Sequence, residues 1–264
     1  NMINWANFDT LASYEKMMNL PKVNLAEVMK GENGAKRVAS YSVPMSGGLA
    51  YNFASKAVDD ETLAVLAEIA KEAQLTEKYE ALLNGEMINT GEKRLVLHQL
   101  TRGQQAGQVV AEGVDKRAFY TEQQAKAYAF AEKVHAGEIV NEAGEKFTTV
   151  CQIGIGGSDL GPRAIYLALE NWAKVNGHLK MEAKFISNVD PDDAAGVLYG
   201  IDVAHTIFVL VSKSGTTLET LTNESFVKNA IAAQGLDASK HMIAVTSATS
   251  PLASSADYLA AFFM

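Results

Sequence analysis

The sequence predicts an α/β protein in which a mainly helical N-terminal region precedes a doubly wound parallel sheet. From about residue 147, short β-rich runs alternate with helical patterns, which is typical of right-handed βαβ units. Before residue 140, apolar residues recur mainly at helical spacing. The 264 residues are enough for two modest domains. We therefore expect the helical region to cover residues 1–119 and the sheet domain residues 120–264.

The first helices are predicted from their end signals. Asp59 or Asp60 can cap a helix whose apolar residues follow at helical spacing. A second, short helix begins at Thr76 and stops at Asn84-Gly85. The stretch KRLVLHQL at 93–100 fits either a strand or a helix, and we favour a helix. That helix would place Arg94 and His98 on one face, where we expect buried structural partners.

A longer helix is predicted just before the sheet. Thr121 and Gln124 form a capping-box pattern ahead of the helical run 125–134. Gly137 then supplies the terminator.

Four β-rich runs follow, with helical patterns between them. The third run is apolar throughout, as expected for a strand covered on both faces. The four runs are FTTVCQIGI (147–155), MEAKFIS (181–187), HTIFVLVS (205–212) and HMIAVTS (241–247). The helical patterns lie at 163–175, 192–199 and 218–233. The sequence then ends on Ala-Phe-Phe-Met with no helix stop or polar tail, so we expect the sheet domain to be truncated at its C-terminal end.

Composition excludes several classes of protein. The formal net charge of −8 argues against a general nucleic-acid or anionic-membrane surface. No stretch approaches the length of a membrane span, and the first residues do not form a signal peptide, so we expect a cytoplasmic protein. The single Cys151 excludes an intrachain disulfide, and the five histidines show no metal-ligand spacing. We therefore expect a metal-independent protein.

Two unusual loops should lie together in this fold. If the strand order is 2-1-3-4, as in flavodoxin-like sheets, the order reverses between the first and third strands. These strands lead into Gly154–Gly161 and Ser212–Thr217, and ligands bind at such a reversal. Because neighbouring strands lie about 4.8 Å apart, we expect both loops to contact one small ligand.

The residue types in the loops favour a phosphate. Gly156 and Gly157 let backbone N–H groups approach closely, and both loops run into helix N-termini, which attract anions. Hydrogen bonds to a charged group contribute about 1.5–3 kcal/mol each. The candidate hydroxyl donors are Ser158, Ser212, Ser214, Thr216 and Thr217, and Lys213 adds a positive charge.

The positions of the glycines do not fit two other kinds of phosphate-binding loop. A dinucleotide fingerprint needs a third glycine where Asp159 stands, which weakens a dehydrogenase interpretation. A P-loop needs Gly-Lys-Ser/Thr, but Gly161 is followed by Pro162. The alternative that remains is structural, because glycine also permits tight packing of a strand against a helix.

Two carboxylates near the loops are expected to be structural. Asp159 would repel a phosphate if it pointed inward, so we expect it to cap or brace the following helix. Glu219 lies in the first turn of a helix, where a carboxylate favours the helix dipole, and we prefer this role to catalysis.

Three motifs resemble the glucose-6-phosphate isomerase family. They are GIGGSDLGP (154–162), SNVDP (187–191) and SKSGTTLET (212–220). The third is the least specific, because Ser-x-Ser-Gly-x-Thr recurs across sugar-isomerase (SIS) domains, including regulators. NTGEKRLVLHQLTR (89–102) also resembles a segment of the family, with Gly91 where threonine is usual.

The resemblance implies a sugar-phosphate site without the catalytic groups. It implies that Gly157 and Ser158 contact the sugar phosphate and that the serine-rich loop completes the site. The residues of that loop are Ser212, Lys213, Ser214, Gly215, Thr216 and Thr217. The family's proton-transferring residues come from later sequence, including a second SIS domain, and none of those motifs occurs here.

The resemblance also implies what the whole protein does. It would interconvert glucose 6-phosphate and fructose 6-phosphate through an enediol, as a cytoplasmic homodimer without a cofactor. We expect the present chain to be an inactive N-terminal fragment with the first SIS domain. The alternative is a non-catalytic SIS module that senses sugar phosphates.

Overall fold

The computed structural model describes residues 2–102 and 108–264. The chain divides into two compact units, residues 1–99 and 100–264. Within the described ranges, no helix combines the length and hydropathy that a membrane span requires.

The first unit consists of helices and one small hairpin. Asp59 caps α4, since its side chain accepts a hydrogen bond from the backbone N–H of Thr62 at 2.8 Å. This cap confirms the predicted helix start, and α5 begins within one residue of Thr76. The elements are α1 (Ala12–Met18), α2 (Leu25–Val28), α3 (Gly31–Ser40), β1 (Ser42–Pro44), β2 (Ala50–Asn52), α4 (Asp60–Glu72) and α5 (Leu75–Leu83).

The predicted helix over 93–100 is wrong. Asn89 and Arg94 pair in an isolated antiparallel bridge, and Lys93 takes a φ of 53°, so the chain reverses where the helix should run. Only a short 3-10 turn follows, at His98–Arg102. Arg94 and His98 are both exposed and do not share a helix face.

The second unit contains a five-stranded parallel sheet with helices on its faces. A small antiparallel hairpin and a long helix precede it. The elements are β3 (Val110–Ala111), β4 (Val114–Asp115), α6 (Lys116–Ala136), β5 (Thr149–Ile153), α7 (Gly157–Val175), β6 (Glu182–Ile186), α8 (Pro191–Tyr199), β7 (Thr206–Val211), α9 (Leu218–Ala233), β8 (Met242–Thr246) and β9 (Ala260–Phe263).

The sheet has the order β6-β5-β7-β8-β9. This order confirms the predicted flavodoxin-like arrangement, in which the first strand lies between the second and the third. At the carboxyl end of β5, Ile153 lies opposite Ile186 of β6 and Leu210 of β7. The sequence analysis missed β9, which adds a fifth strand at the edge beside β8.

Both faces of the central strands are buried. Ile207 packs on one face with Val134 and Ile243. Phe208 packs on the opposite face with Val227, and both of these side chains are fully buried. This two-sided burial explains why β7 is apolar from Ile207 to Val211, as expected for a strand covered on both faces.

The helix before the sheet begins earlier than the capping box predicted. Asp115 caps α6 by accepting a hydrogen bond from the N–H of Ala118 at 3.1 Å, so Thr121 lies inside the helix. Gly137, with a φ of 76°, ends it as predicted. The domain boundary expected after residue 119 falls inside α6, whereas the second compact unit starts at Leu100.

Candidate functional site

Two loops leave the same edge of the sheet side by side. The glycine loop, residues 154–158, follows β5, and the serine loop, residues 212–217, follows β7. β5 and β7 are parallel neighbours, so their carboxyl ends are adjacent. The strand order also reverses at this point, which is where open α/β sheets bind ligands.

The glycine loop turns tightly against its own backbone. A β-carbon on Gly154 would lie 2.6 Å from the carbonyl oxygen of Ser158. Gly156 has a φ of 58°, a conformation that other residues rarely adopt. These two positions therefore require glycine for the turn itself.

Gly157 and Ser158 begin α7 and differ in what they offer a ligand. A β-carbon on Gly157 would meet no atom within 4 Å, so open space lies in front of it. The backbone N–H of Ser158 donates to the carbonyl of Ile155 at 3.2 Å, and its carbonyl accepts from Gln152 at 2.6 Å. Its hydroxyl is the group that remains for a ligand.

Asp159 is held by an arginine of the same helix. It is 3% exposed, and the Arg163 guanidinium contacts its carboxylate at 2.9 and 3.1 Å. The guanidinium also lies over the Phe185 ring of β6, 5.0 Å from its centroid. The expectation that Asp159 braces α7 is confirmed, and its charge is balanced within the protein.

The serine loop is shaped by its own hydroxyl groups. Ser212 is 3% exposed, and its Oγ accepts a hydrogen bond from the N–H of Gly215 at 3.1 Å. The Oγ of Ser214 accepts from the N–H of Thr216 at 3.2 Å. Thr217 is half-buried, with its Oγ1 3.4 Å from that of Ser212. Ser212 therefore lies beneath the loop.

The exposed side of the serine loop carries Lys213, Ser214 and Thr216. Lys213 supplies a positive charge beside the N-terminus of α9. Glu219 is exposed in the first turn of that helix, where the helix dipole favours a carboxylate.

The sequence analysis missed a third loop that supports the serine loop. The N–H of Ser247, after β8, donates to the carbonyl of Lys213 at 3.0 Å. A β-carbon on Gly215 would lie only 2.1 Å from the Oγ of Ser250. The signal was the serine- and threonine-rich segment TSATS at 246–250, which follows a strand next to β7.

Two histidines of the second unit lie at the opposite edge, where β7 and β8 begin. His241 is fully buried between the Glu142 carboxylate at 2.8 Å and the Thr206 carbonyl at 3.0 Å. His205 lies between Glu145 at 3.0 Å and Asp202 at 2.8 Å. Hydrogen bonds to these two carboxylates raise the pKa of His205. Both histidines serve the fold and not the loops.

Together, the two loops form an arrangement suited to an anion. It combines two helix N-termini, exposed hydroxyl groups and one lysine at adjacent strand ends. Among the residues that the structure describes, no group of three His, Cys, Asp or Glu side chains is placed to hold a metal.

This fold, with paired loops at the reversal of strand order, defines an α/β protein of the SIS class. The chain belongs to the phosphoglucose isomerase family, because the family model described as phosphoglucose isomerase matches residues 52–254.

Named relatives agree with this assignment. Glucose-6-phosphate isomerase from Treponema denticola is 55% identical over 98% of this chain and 50% of its own length. The same enzyme from Treponema pallidum is 49% identical over 99% of this chain and 50% of its own. The crystal structure of a glucose-6-phosphate isomerase from Chlamydia trachomatis matches with a TM-score of 0.77 and 32% identity, over 98% of this chain and 48% of that one. The chain thus spans about half the length of these relatives.

Proposed function

We propose that this chain is the sugar-phosphate-binding half of a glucose-6-phosphate isomerase. The observation that carries the proposal is the pairing of β5 with β7, which brings the glycine loop and the serine loop to one edge of the sheet. The names of the relatives support the same substrate class.

Each predicted site residue has a place in this proposal. Gly157 leaves room for the phosphate in front of α7, and the Ser158 hydroxyl donates to it. Four residues of the serine loop complete the contacts, and two shape the loop beneath them. The contacts come from Lys213, Ser214, Thr216 and Thr217, and the loop is shaped by Ser212 and Gly215.

The reaction belongs to the whole enzyme. It interconverts glucose 6-phosphate and fructose 6-phosphate by acid–base proton transfer through an enediol. The family resemblance implies that the proton-transferring groups come from later sequence, and this chain spans only about half of its relatives' length. A homodimer and a cytoplasmic location of the whole enzyme are part of the same proposal.

Binding can be tested with a pair of glycine variants. Gly157→Ala fills the open space in front of α7 and should weaken binding of glucose 6-phosphate at least tenfold, measured by calorimetry. Gly161→Ala is the control, because it lies one turn further along α7 and its β-carbon also meets nothing within 4 Å. Alanine is a better helix former than glycine, so neither variant should lose stability.

The glucose 6-phosphate titration is compared with unphosphorylated glucose, which should bind far more weakly. Equal affinity of both glycine variants, or equal affinity for the two sugars, would refute the site.

Catalysis is tested separately. The purified chain should show no isomerisation above background in a coupled assay, with the full-length Treponema denticola relative as the positive control. Measurable turnover by this chain would show that it carries its own catalytic base.

A further inference from the structure

The buried side of α9 is polar in its first two turns and apolar in its later turns. Its later turns bury Val227 and Ile231, which are fully buried apolar side chains. Its first two turns instead bury Thr220, Asn223 and Glu224, which are 1%, 0% and 7% exposed. The end of this buried side nearest the serine loop is therefore polar, although it lies inside the protein.

Glu224 is accounted for by protein partners. The Tyr258 hydroxyl donates a hydrogen bond to its carboxylate, and the Lys228 ammonium contacts it at 2.8 Å. The charge on Glu224 is thus paired.

Thr220 and Asn223 are only partly satisfied. The Asn223 amide nitrogen donates to the carbonyls of Ser187 and Asn188, each at 3.3 Å. Among the residues that the structure describes, its Oδ1 has no partner, and neither has the Oγ1 of Thr220. Flipping the Asn223 amide would bring its oxygen against two carbonyl oxygens, so the orientation is fixed by its surroundings. Buried polar atoms in native proteins almost always have a partner.

The position of Thr220 explains why its hydroxyl lacks the usual helix partner. Thr222 and Ser225 donate to the carbonyls four residues earlier, at 2.8 and 3.1 Å. For Thr220 the equivalent residue is Thr216, which lies in the serine loop, before the helix begins at Leu218.

We propose that one internal water molecule is bound between the Oγ1 of Thr220 and the Oδ1 of Asn223. The two residues are three positions apart on one helix, so their side chains are neighbours on the same face, where one water can reach both polar atoms. The water donates to the amide oxygen and accepts from the threonine hydroxyl. Such waters typically bind otherwise unsatisfied buried polar groups.

The water would link the segment after β6 to the start of α9, next to the serine loop. Through Asn223, it belongs to the same network as residues 187–188, which follow β6. Through Thr220, it reaches the first turn of α9, directly after the serine loop. The site does not depend on the proposed enzymatic function.

The first test is a crystal structure of this chain at a resolution that shows ordered water. Density within about 3.2 Å of both atoms supports the proposal. If no density is present, or if either atom instead bonds to a protein group, the proposal fails.

The second test uses Thr220→Val, which removes the hydroxyl at nearly constant shape. With the water bound, the substitution should lower the equilibrium constant for folding about fivefold, measured by urea unfolding. Without it, removing a buried unpaired hydroxyl should leave that constant unchanged or raise it. Thr222→Val in the same helix is the comparison, and it removes a direct hydrogen bond to the carbonyl of Leu218 instead of a bond to water.

Discussion

At the scale of single residues, burial decides the role that a motif residue plays. Ser212 belongs to the motif that predicts phosphate contacts, yet its hydroxyl lies beneath the loop and holds the N–H of Gly215. A motif shows which residues lie near a ligand, but it cannot show which of them face it. The tight approach of Gly215 to Ser250 was equally invisible, because it depends on a contact between two strand ends.

Gly215→Ala should destabilise the protein by about 2–4 kcal/mol. The substitution combines an unfavourable φ of 69° with a β-carbon only 2.1 Å from the Oγ of Ser250. Gly235→Ala is the control, because Gly235 has a φ of 70° but no neighbour within 4 Å. It should therefore cost only the backbone strain, about 1 kcal/mol. Urea unfolding measures both. Equal losses of stability in the two variants would show that Ser250 moves away from the new β-carbon.

At the scale of elements, α7 turns polar residues toward the sheet and leaves many of its apolar side chains exposed. Its polar residues Asp159 and Arg163 face β6, and the Tyr166 ring also packs near Phe185. Six large apolar side chains of the helix are exposed instead, namely Leu160, Ile165, Leu167, Leu169, Trp172 and Val175. Helical periodicity predicted that this helix exists but not which side packs on the sheet.

The success of the predictions also varied from element to element. The runs that became β5 to β8 were predicted because each is β-rich and bounded by turns or helices, and α9 matches the helical run predicted at 218–233. β9 was missed because four residues, Ala-Ala-Phe-Phe, show no alternation and pair only at the sheet edge. The start of α6 was misplaced because Asp115, the last residue of the hairpin strand β4, caps the helix instead of Thr121.

The turn before β5 should give the protein a pH-dependent stability. His205 joins Glu145 of that turn to Asp202 ahead of β7, and these carboxylates raise the histidine pKa. A raised pKa means that the contribution to the free energy of unfolding is complete below about pH 6.5 and is lost as the pH rises through the folded-state value. The stability difference between the wild type and His205→Gln should therefore be full below about pH 6.5 and shrink as the pH rises above it.

Urea unfolding at several pH values measures this difference, and an NMR titration of the His205 ring gives its pKa directly. Asp202→Asn should lower that pKa. Parallel stability profiles for the wild type and His205→Gln would contradict the expectation.

At the scale of the whole molecule, the parallel sheet dominates the second unit. Phe208 is fully buried at its centre and packs within the cluster that joins the sheet to α8 and α9. Phe208→Ala should lower the free energy of unfolding of this unit by about 3–5 kcal/mol, because it leaves a cavity in a closely packed core. Tyr199→Ala is the control, since that ring is 96% exposed, and its effect should stay within about 0.5 kcal/mol. A small loss for Phe208→Ala would mean that the core collapses around the gap.

The central place of β5 has a consequence for how the chain is made on the ribosome. β5 is the first strand of the sheet to be synthesised, yet both its neighbours come later in the sequence. It stays without a partner until β6 emerges, and the glycine loop meets the serine loop only after β7 has followed. Nascent chains that stop short of residue 217 therefore lack the paired loops on which the proposed phosphate site depends, however well their helices have formed.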